Sequence, residues 1–336
     1  MQASVLQDAI AGMLGQPQDI SSLVETLRQV RFRQLARLLH LRLAQDTISA
    51  ALRNRCYHLL DALSARAGAQ LLAAPLLCEV LRTGQPNERL QQLIEQAATA
   101  EIDQAVRLPR LACGIPLDLS LPATIMHPSA GLVQPQAPDQ PQCAAGMALM
   151  NHALTIVEQA HPAGHALFCG LVSNIVMRHD LARATECWGA SSGAAIGRVV
   201  VVNPVASGST HLLGEVLLHE ATHCALDCAE LLQPLAPLSA SGTVDSPWSG
   251  NPLTPHAFIH ACVVWAVLYE YWTRQAYSAA AKRRIDYIVH GFSAMENQPA
   301  LHALILSLSS AAQRVVALAR NAPHLKTGTD LQDLPL

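Results

Sequence analysis

A mainly α fold with a small β component is expected from three features of the sequence. Apolar residues recur at helical spacing along most of the 336 residues. Turn-forming residues such as Gly68, Gly84 and the Pro86-Asn87 pair fall between the periodic stretches. The best strand in the chain is one β-branched run, Arg198-Val-Val-Val-Val-Asn203, closed by Pro204. The architecture that follows is a helical N-terminal unit and a second helical domain built around an HExxH segment.

Each element can be placed in order. The segment SLVETLRQVRFRQLARLLHLRLAQ opens with Ser22 and Glu25 in a capping-box pattern and sets Leu27, Val30, Leu35, Leu38 and Leu39 at near-helical spacing. Further helices are expected at about 47–67, 69–83 and 87–106, completing a unit over 1–108. Prolines 109, 116, 122, 128, 135, 138 and 141 exclude regular helix or a central strand, which marks 109–142 as a linker or wrapping arm. Helical pattern resumes at about 143–160 and 164–184, before the strand at 198–203. A long helix starts near Ser209 or Thr210 and ends before Pro234. After a loop rich in Pro, Ser and Gly, Thr254 reads as an N-cap with Pro255 at the first helical position. Helices at about 279–296 and 299–320 finish a second domain over 143–322, and 323–336 reads as a frayed tail.

Composition narrows the class of function. At 51% hydrophobic and 14% charged, with mean hydropathy +0.23, the chain has ample material for a core. A net charge of −3 and a pI near 6.6 argue against a nucleic-acid partner. No run approaches 18 apolar residues and the start lacks a basic region followed by an apolar one, so the expectation is a cytoplasmic protein with no membrane partner. Nine cysteines without a CxxC pair argue against a disulfide framework or a Cys-rich zinc site and read as small buried hydrophobes. There is no P-loop, GxGxxG or GxSxG.

The motif that carries chemistry is His219-Glu220-Ala221-Thr222-His223. Four-residue spacing on a helix brings both imidazoles to one face, where they can share a metal ion, and the adjacent Glu220 can act on a metal-bound water or ligand. A metzincin would continue HxxGxxH, but Leu226 and Ala229 stand in those places. Glu230 and Glu270 are nearby carboxylates outside any persuasive motif. His256 and His260 repeat the four-residue spacing on the next long helix, so His260 is the leading third metal ligand, then His256, which can serve as a metal or substrate ligand, then a carboxylate such as Asp245. Asp227 and Glu215, one turn beyond either end of the pair, can orient the ligands by hydrogen bonds. Trp265, Tyr269 and Trp272 form a stripe read as core, with a substrate-facing wall as the other option. Arg28, Arg31, Arg33, Arg37 and Arg42 read as a solvated helix face, or as a seat for an acidic leader peptide. From these residues alone, a zinc peptidase or other zinc hydrolase with Glu220 as general base is one reading.

The stretch from about 165 to 275, a third of the chain, resembles the HExxH-containing peptide-modifying proteins of ribosomal natural-product clusters, understood as iron(II)- and 2-oxoglutarate-dependent peptide β-hydroxylases. The resemblance rests on SSGAAIGRVVVVNP, LLGEVLLHEATH, SPWSGNP and FIHACVVWAVLYEYW in this order and spacing. It implies iron(II) on His219, His223 and His260, with Glu220 beside the metal as a proton carrier, and 2-oxoglutarate and O₂ as cosubstrates. The substrate it implies is a peptide, with or without a leader, hydroxylated at a side-chain β-carbon. The chain departs from the family after Pro247-Trp248: many members have arginine there, with another nearby, whereas this chain reads Ser249-Gly250-Asn251-Pro252-Leu253. Arg198 and Arg274, and also Arg178, are the cations available to hold 2-oxoglutarate instead.

Overall fold

The computed structural model describes residues 10, 11, 13, 14, 19–45, 47–62, 71, 72, 74–84, 86–99, 108–119, 133–236, 242–275 and 278–321. Among them are eleven helices and seven short strands, a mainly α fold with a small β component. Helix α1 (Ile20–Leu43) is capped by Asp19, whose carboxylate accepts from the amides of Ser21 and Ser22, so Ser22 sits in the first turn rather than at the cap. Its buried face runs Leu23, Leu27, Val30, Arg31, Leu35, Leu39, Leu43. Arg31 thus leaves the basic row and turns inward, donating to the Leu171 carbonyl at 3.3 Å and the Ser173 hydroxyl at 3.0 Å.

Helices α2 (Ala50–Ala62), α3 (Pro75–Thr83) and α4 (Asn87–Thr99) close a satellite core around Leu43, Cys56, Leu77, Val80, Leu90 and Ile94. The expected continuations of these helices through 63–70 and 100–106 lie outside the described residues. So do 120–132 of the Pro-rich stretch and the tail from 323. The described parts of that stretch supply two short strands, β1 (Leu117–Asp118) and β2 (Pro135–Gln136). Both pair with β3 (Asn174–Asp180), the first parallel and the second antiparallel.

Strand β3 corrects the helix expected over 164–184. After α5 (Gln140–Ala160), helix α6 (Pro162–Leu171) stops and Val172 is already extended. Ile175, Val176 and Met177 are buried on both sheet faces, between β1 and the parallel strand β5 (Arg198–Val202). A short apolar run buried on both sides has no alternation to separate it from a helix, so periodicity alone misassigns it. The sheet order is β1-β3-β5-β4, with β4 (Trp188–Ser191) antiparallel at the edge. Ile175, Met177, Val199 and Val201 belong to the main core beneath the helices, whereas Val176, Val200 and Val202 meet Trp188 and Ala190 on the other face.

The long central helix α7 (Thr210–Glu230) is capped by Ser209, and α8 (Pro255–Thr273) by Thr254 with Pro255 at its first position. Between them a small hairpin pairs β6 (Val244–Asp245) with β7 (Pro252–Leu253). Helix α9 (Ala279–Glu296) follows, and the single helix expected at 299–320 is two, α10 (Pro299–Ser307) and α11 (Ser310–Asn321). The break sits at Leu308-Ser309, where the Ser309 hydroxyl accepts from the Ala312 amide and starts a new helix. No described helix is long and apolar enough to cross a membrane.

The wall of the future site depends on one glycine. Trp248 donates its indole N–H to the Ile288 carbonyl at 3.1 Å and lies on α9 where Gly291 exposes bare backbone; a Cβ there would fall 2.1 Å from the ring. Gly291→Ala is expected to lower stability by about 1–3 kcal/mol through overpacking. The measurement is urea unfolding followed by tryptophan fluorescence; an unchanged midpoint would contradict this packing.

Candidate metal centre

Helix α7 runs through the core and turns one face toward a cleft of about 440 Å³. His219 and His223 lie on that face, with their Nε2 atoms 3.2 Å apart. Two nitrogens bonded at about 2.0–2.1 Å to one metal ion sit at about this separation. Burial, with the charge of Arg284 adding to it, holds the His219 imidazole down to about 4. Burial and the neighbouring imidazoles hold His223 well below its ordinary value. Both rings are therefore neutral at pH 7, the form that binds metal.

Glu220, the next residue along, faces the sheet. The Ser191 hydroxyl of β4 donates to its Oε2 at 2.6 Å. Gly189 makes this contact possible, since a Cβ at that position would lie 2.9 Å from Glu220 Cγ and hold β4 away from α7. Burial pushes the Glu220 carboxyl up to about 7, against the pull of the Ser191 hydrogen bond and with help from Asp227.

Helix α8 brings His260 to the other side of His223, with Nδ1 facing Nδ1 at 3.1 Å and ring centroids 5.3 Å apart. His260 Nε2 lies 3.0 Å from Glu230 Oε2, and His256 Nε2 lies 2.7 Å from the same oxygen. An N–H of His260 given to Glu230 leaves its Nδ1 as the lone-pair atom turned toward His223. Burial alone would raise Glu230, yet the hydrogen bonds from His256 and His260 outweigh it and hold the carboxyl well below the usual range. In return, that hydrogen bond raises His256, which is exposed at the rim. Asp227, pushed up to about 6 by burial, joins this group: ligand atoms of Asp227, Glu230, His256 and His260 all lie within 4.8 Å of one another. His223 thus stands between His219 and His260, and the donors divide into the HExxH pair and a His/carboxylate group reached through His260.

The remaining sequence candidates sit elsewhere. Glu215 accepts from the Trp272 indole at 2.6 Å and from Arg284 Nε at 2.8 Å, with a second contact to the same guanidinium, so it holds a wall rather than a metal ligand. Arg198 is buried on Glu79 at 3.0 Å, and Arg178 donates to the carbonyls of Asp118 and Met177. Arg274 follows the far end of α8, 14 residues and so about 21 Å along the axis from His260. None of the three arginines lines the cleft, because each is fixed by partners or by helix length. Asp245 is exposed in the small hairpin. Of the aromatic stripe, Trp265 lines the cleft edge-on to His219, whereas Trp272 is core.

No protein-family model matches the chain, and no curated protein does. The donor set fits a divalent metal: two neutral imidazoles at ligand spacing, a third fixed by a carboxylate, and a further carboxyl beside them. It does not fit 2-oxoglutarate in the way the sequence suggested, since no Arg or Lys is among the described residues lining the cleft. Sequence reasoning did not single out Ser191, and it named Glu230 only as a nearby carboxylate, without its role on His256 and His260. A signal for Glu230 was present: His223, Asp227 and Glu230 are spaced i, i+4, i+7, which keeps all three on one helix face.

Proposed function

We propose that this chain is a metal-dependent enzyme that modifies a peptide, an iron(II) oxygenase hydroxylating a side-chain β-carbon. One observation carries the reading. The four segments on which the family resemblance rests, spread over residues 191–272, all contribute lining to a single cleft: Ser191 to Gly193, the HExxH residues, Ser246 with Ser249, and His260 with Trp265. Segments that share an active site must meet in space, and these do.

His219 and His223, both neutral and shielded by packing, would hold the metal through Nε2; His260, whose Nδ1 faces the opposite ring nitrogen of His223, is carried as third ligand by the family resemblance. Bound iron(II) supplies the redox chemistry with O₂ that no side chain can. Glu230 keeps the His260 ring in one tautomer and orientation. Glu220 holds or releases a proton at Oε2, its partner being the Ser191 hydroxyl. Trp265 covers His219 and keeps water from that side. Putting one atom of O₂ into a C–H bond would need a cosubstrate to give two electrons and take the other atom; the resemblance implies a 2-oxo acid for this, and for it the cleft offers serine hydroxyls and the imidazole of His256 but no arginine.

A second reading, a zinc hydrolase, is favoured by the Glu220 carboxyl at about 7, a value suited to a general base. Metal analysis after anaerobic purification separates the two. Iron, with O₂ uptake and a peptide product heavier by one oxygen, is the expected result. Zinc with peptide cleavage would overturn the oxygenase.

A further inference from the structure

The sheet ends at β4, and the outer edge of β4 opens into the metal cleft. The direction of its main-chain groups follows from the ladder. Asn203 donates its amide to the Arg178 carbonyl at 3.0 Å, and the Gly197 carbonyl accepts from the Ser173 amide at 2.7 Å. Odd-numbered residues of β5 therefore turn their N–H and C=O groups toward β3, and even-numbered residues turn theirs toward β4. There Val200 is paired with Ala190 and Val202 with Trp188. It follows that Gly189 and Ser191 direct their main-chain N–H and C=O groups away from the sheet, into the cleft that both residues line. Among the described residues, no hydrogen bond reaches those main-chain groups.

We propose that this free edge is the seat of the substrate's main chain: an extended peptide adds to the sheet beside β4, exchanging N–H···O=C bonds with Gly189 and Ser191, and so lies across His219 and His223. An edge strand normally carries lysine, proline or a bulge that deters pairing, but β4 reads Trp-Gly-Ala-Ser and has none of these. Its small residues let a second backbone approach closely. The repeat of two donors and two acceptors, one pair every second residue at about 6.8 Å, matches an extended chain. A free anion is disfavoured by a lining that contains Glu220 and Asp227 and no Arg or Lys. Recognition through the main chain is tolerant of sequence, leaving the side chain between Ser249 and Trp265 to set specificity. What happens to the docked peptide rests on the function proposed above; the docking itself does not.

The test is hydrogen exchange at residues 188–191 of the metal-loaded full chain. The probe is a mixture of capped random hexapeptides, with the same mixture N-methylated at every residue as control. At about 1 mM total peptide and a Kd of about 0.1 mM, exchange is expected to slow about tenfold. The N-methylated mixture, unable to donate, is expected to leave exchange unchanged. No slowing with the plain hexapeptides, or equal slowing with both mixtures, overturns the proposal. So does protection that rises with protein concentration in the absence of peptide, which would make a second copy of the chain the occupant. Peptide masses in the same samples keep the two ideas apart. Protection at 188–191 with unchanged masses upholds the docking edge and removes the enzymatic reading. A mass change without protection does the reverse.

Discussion

His219→Ala and His223→Ala are each expected to lose metal binding. Four-ligand zinc sites bind with about 10–16 kcal/mol, so each protein donor is worth about 2.5–4 kcal/mol, and removing one lowers affinity by about 10²–10³-fold. Competition with a chromophoric chelator reads this directly, with circular dichroism to show that the helices persist. His260→Ala is expected to behave likewise. Glu230→Ala, which frees the His260 ring to turn, is expected to cost about 10–100-fold. His256→Ala should cost least, because its ring sits exposed at the rim, bonded to Glu230 and packed on His260 at 4.2 Å between centroids. Full metal in His260→Ala together with loss in His256→Ala would move the third ligand to His256.

Glu220→Gln separates the mechanisms while keeping the metal. Glutamine preserves the shape and still accepts from Ser191, but it cannot take a proton. In a hydrolase, loss of the general base lowers turnover by about 10²–10⁴-fold. In the oxygenase no water attacks a carbonyl, so the variant should still add one oxygen to the peptide at a rate reduced through looser packing beside the ligands. Mass analysis of the peptide decides the matter: cleavage by the wild type that disappears in Glu220→Gln ends the oxygenase reading.

Legibility in the sequence followed the range of the interactions. Helix starts at Ser209 and Thr254 were readable because a cap is local, a hydroxyl reaching an amide two or three residues on. The HExxH pair was readable for the same reason, four residues being one turn. Strand β3 was not, because what makes Ile175-Val176-Met177 extended is pairing with strands tens of residues away on either side. Third-ligand candidates could be named, but not the role of Glu230, since that depends on how α7 and α8 meet. The arginines failed as cofactor ligands because charge in a sequence carries no information about its partner: Glu79, which neutralises Arg198, lies 119 residues earlier.

The same buried pair bears on how the chain can be divided. Arg198 stands on β5, next in the sheet to the strand that borders the cleft, while Glu79 belongs to α3 of the N-terminal helices, and both are almost fully enclosed. Arg31 of α1 makes a parallel tie to the end of α6. Cutting at the proline-rich stretch would remove the helix that covers Arg198 and open the sheet beneath it to water; truncating Glu79 alone within the full chain would leave a buried guanidinium unpaired, a loss of about 3–5 kcal/mol. Such a loss takes up much of the reserve of an ordinary domain. The first hundred residues are thus a fitted part of the body that carries the cleft: they supply the counter-charge of its sheet, and a minimal fragment for expression has to start ahead of α1.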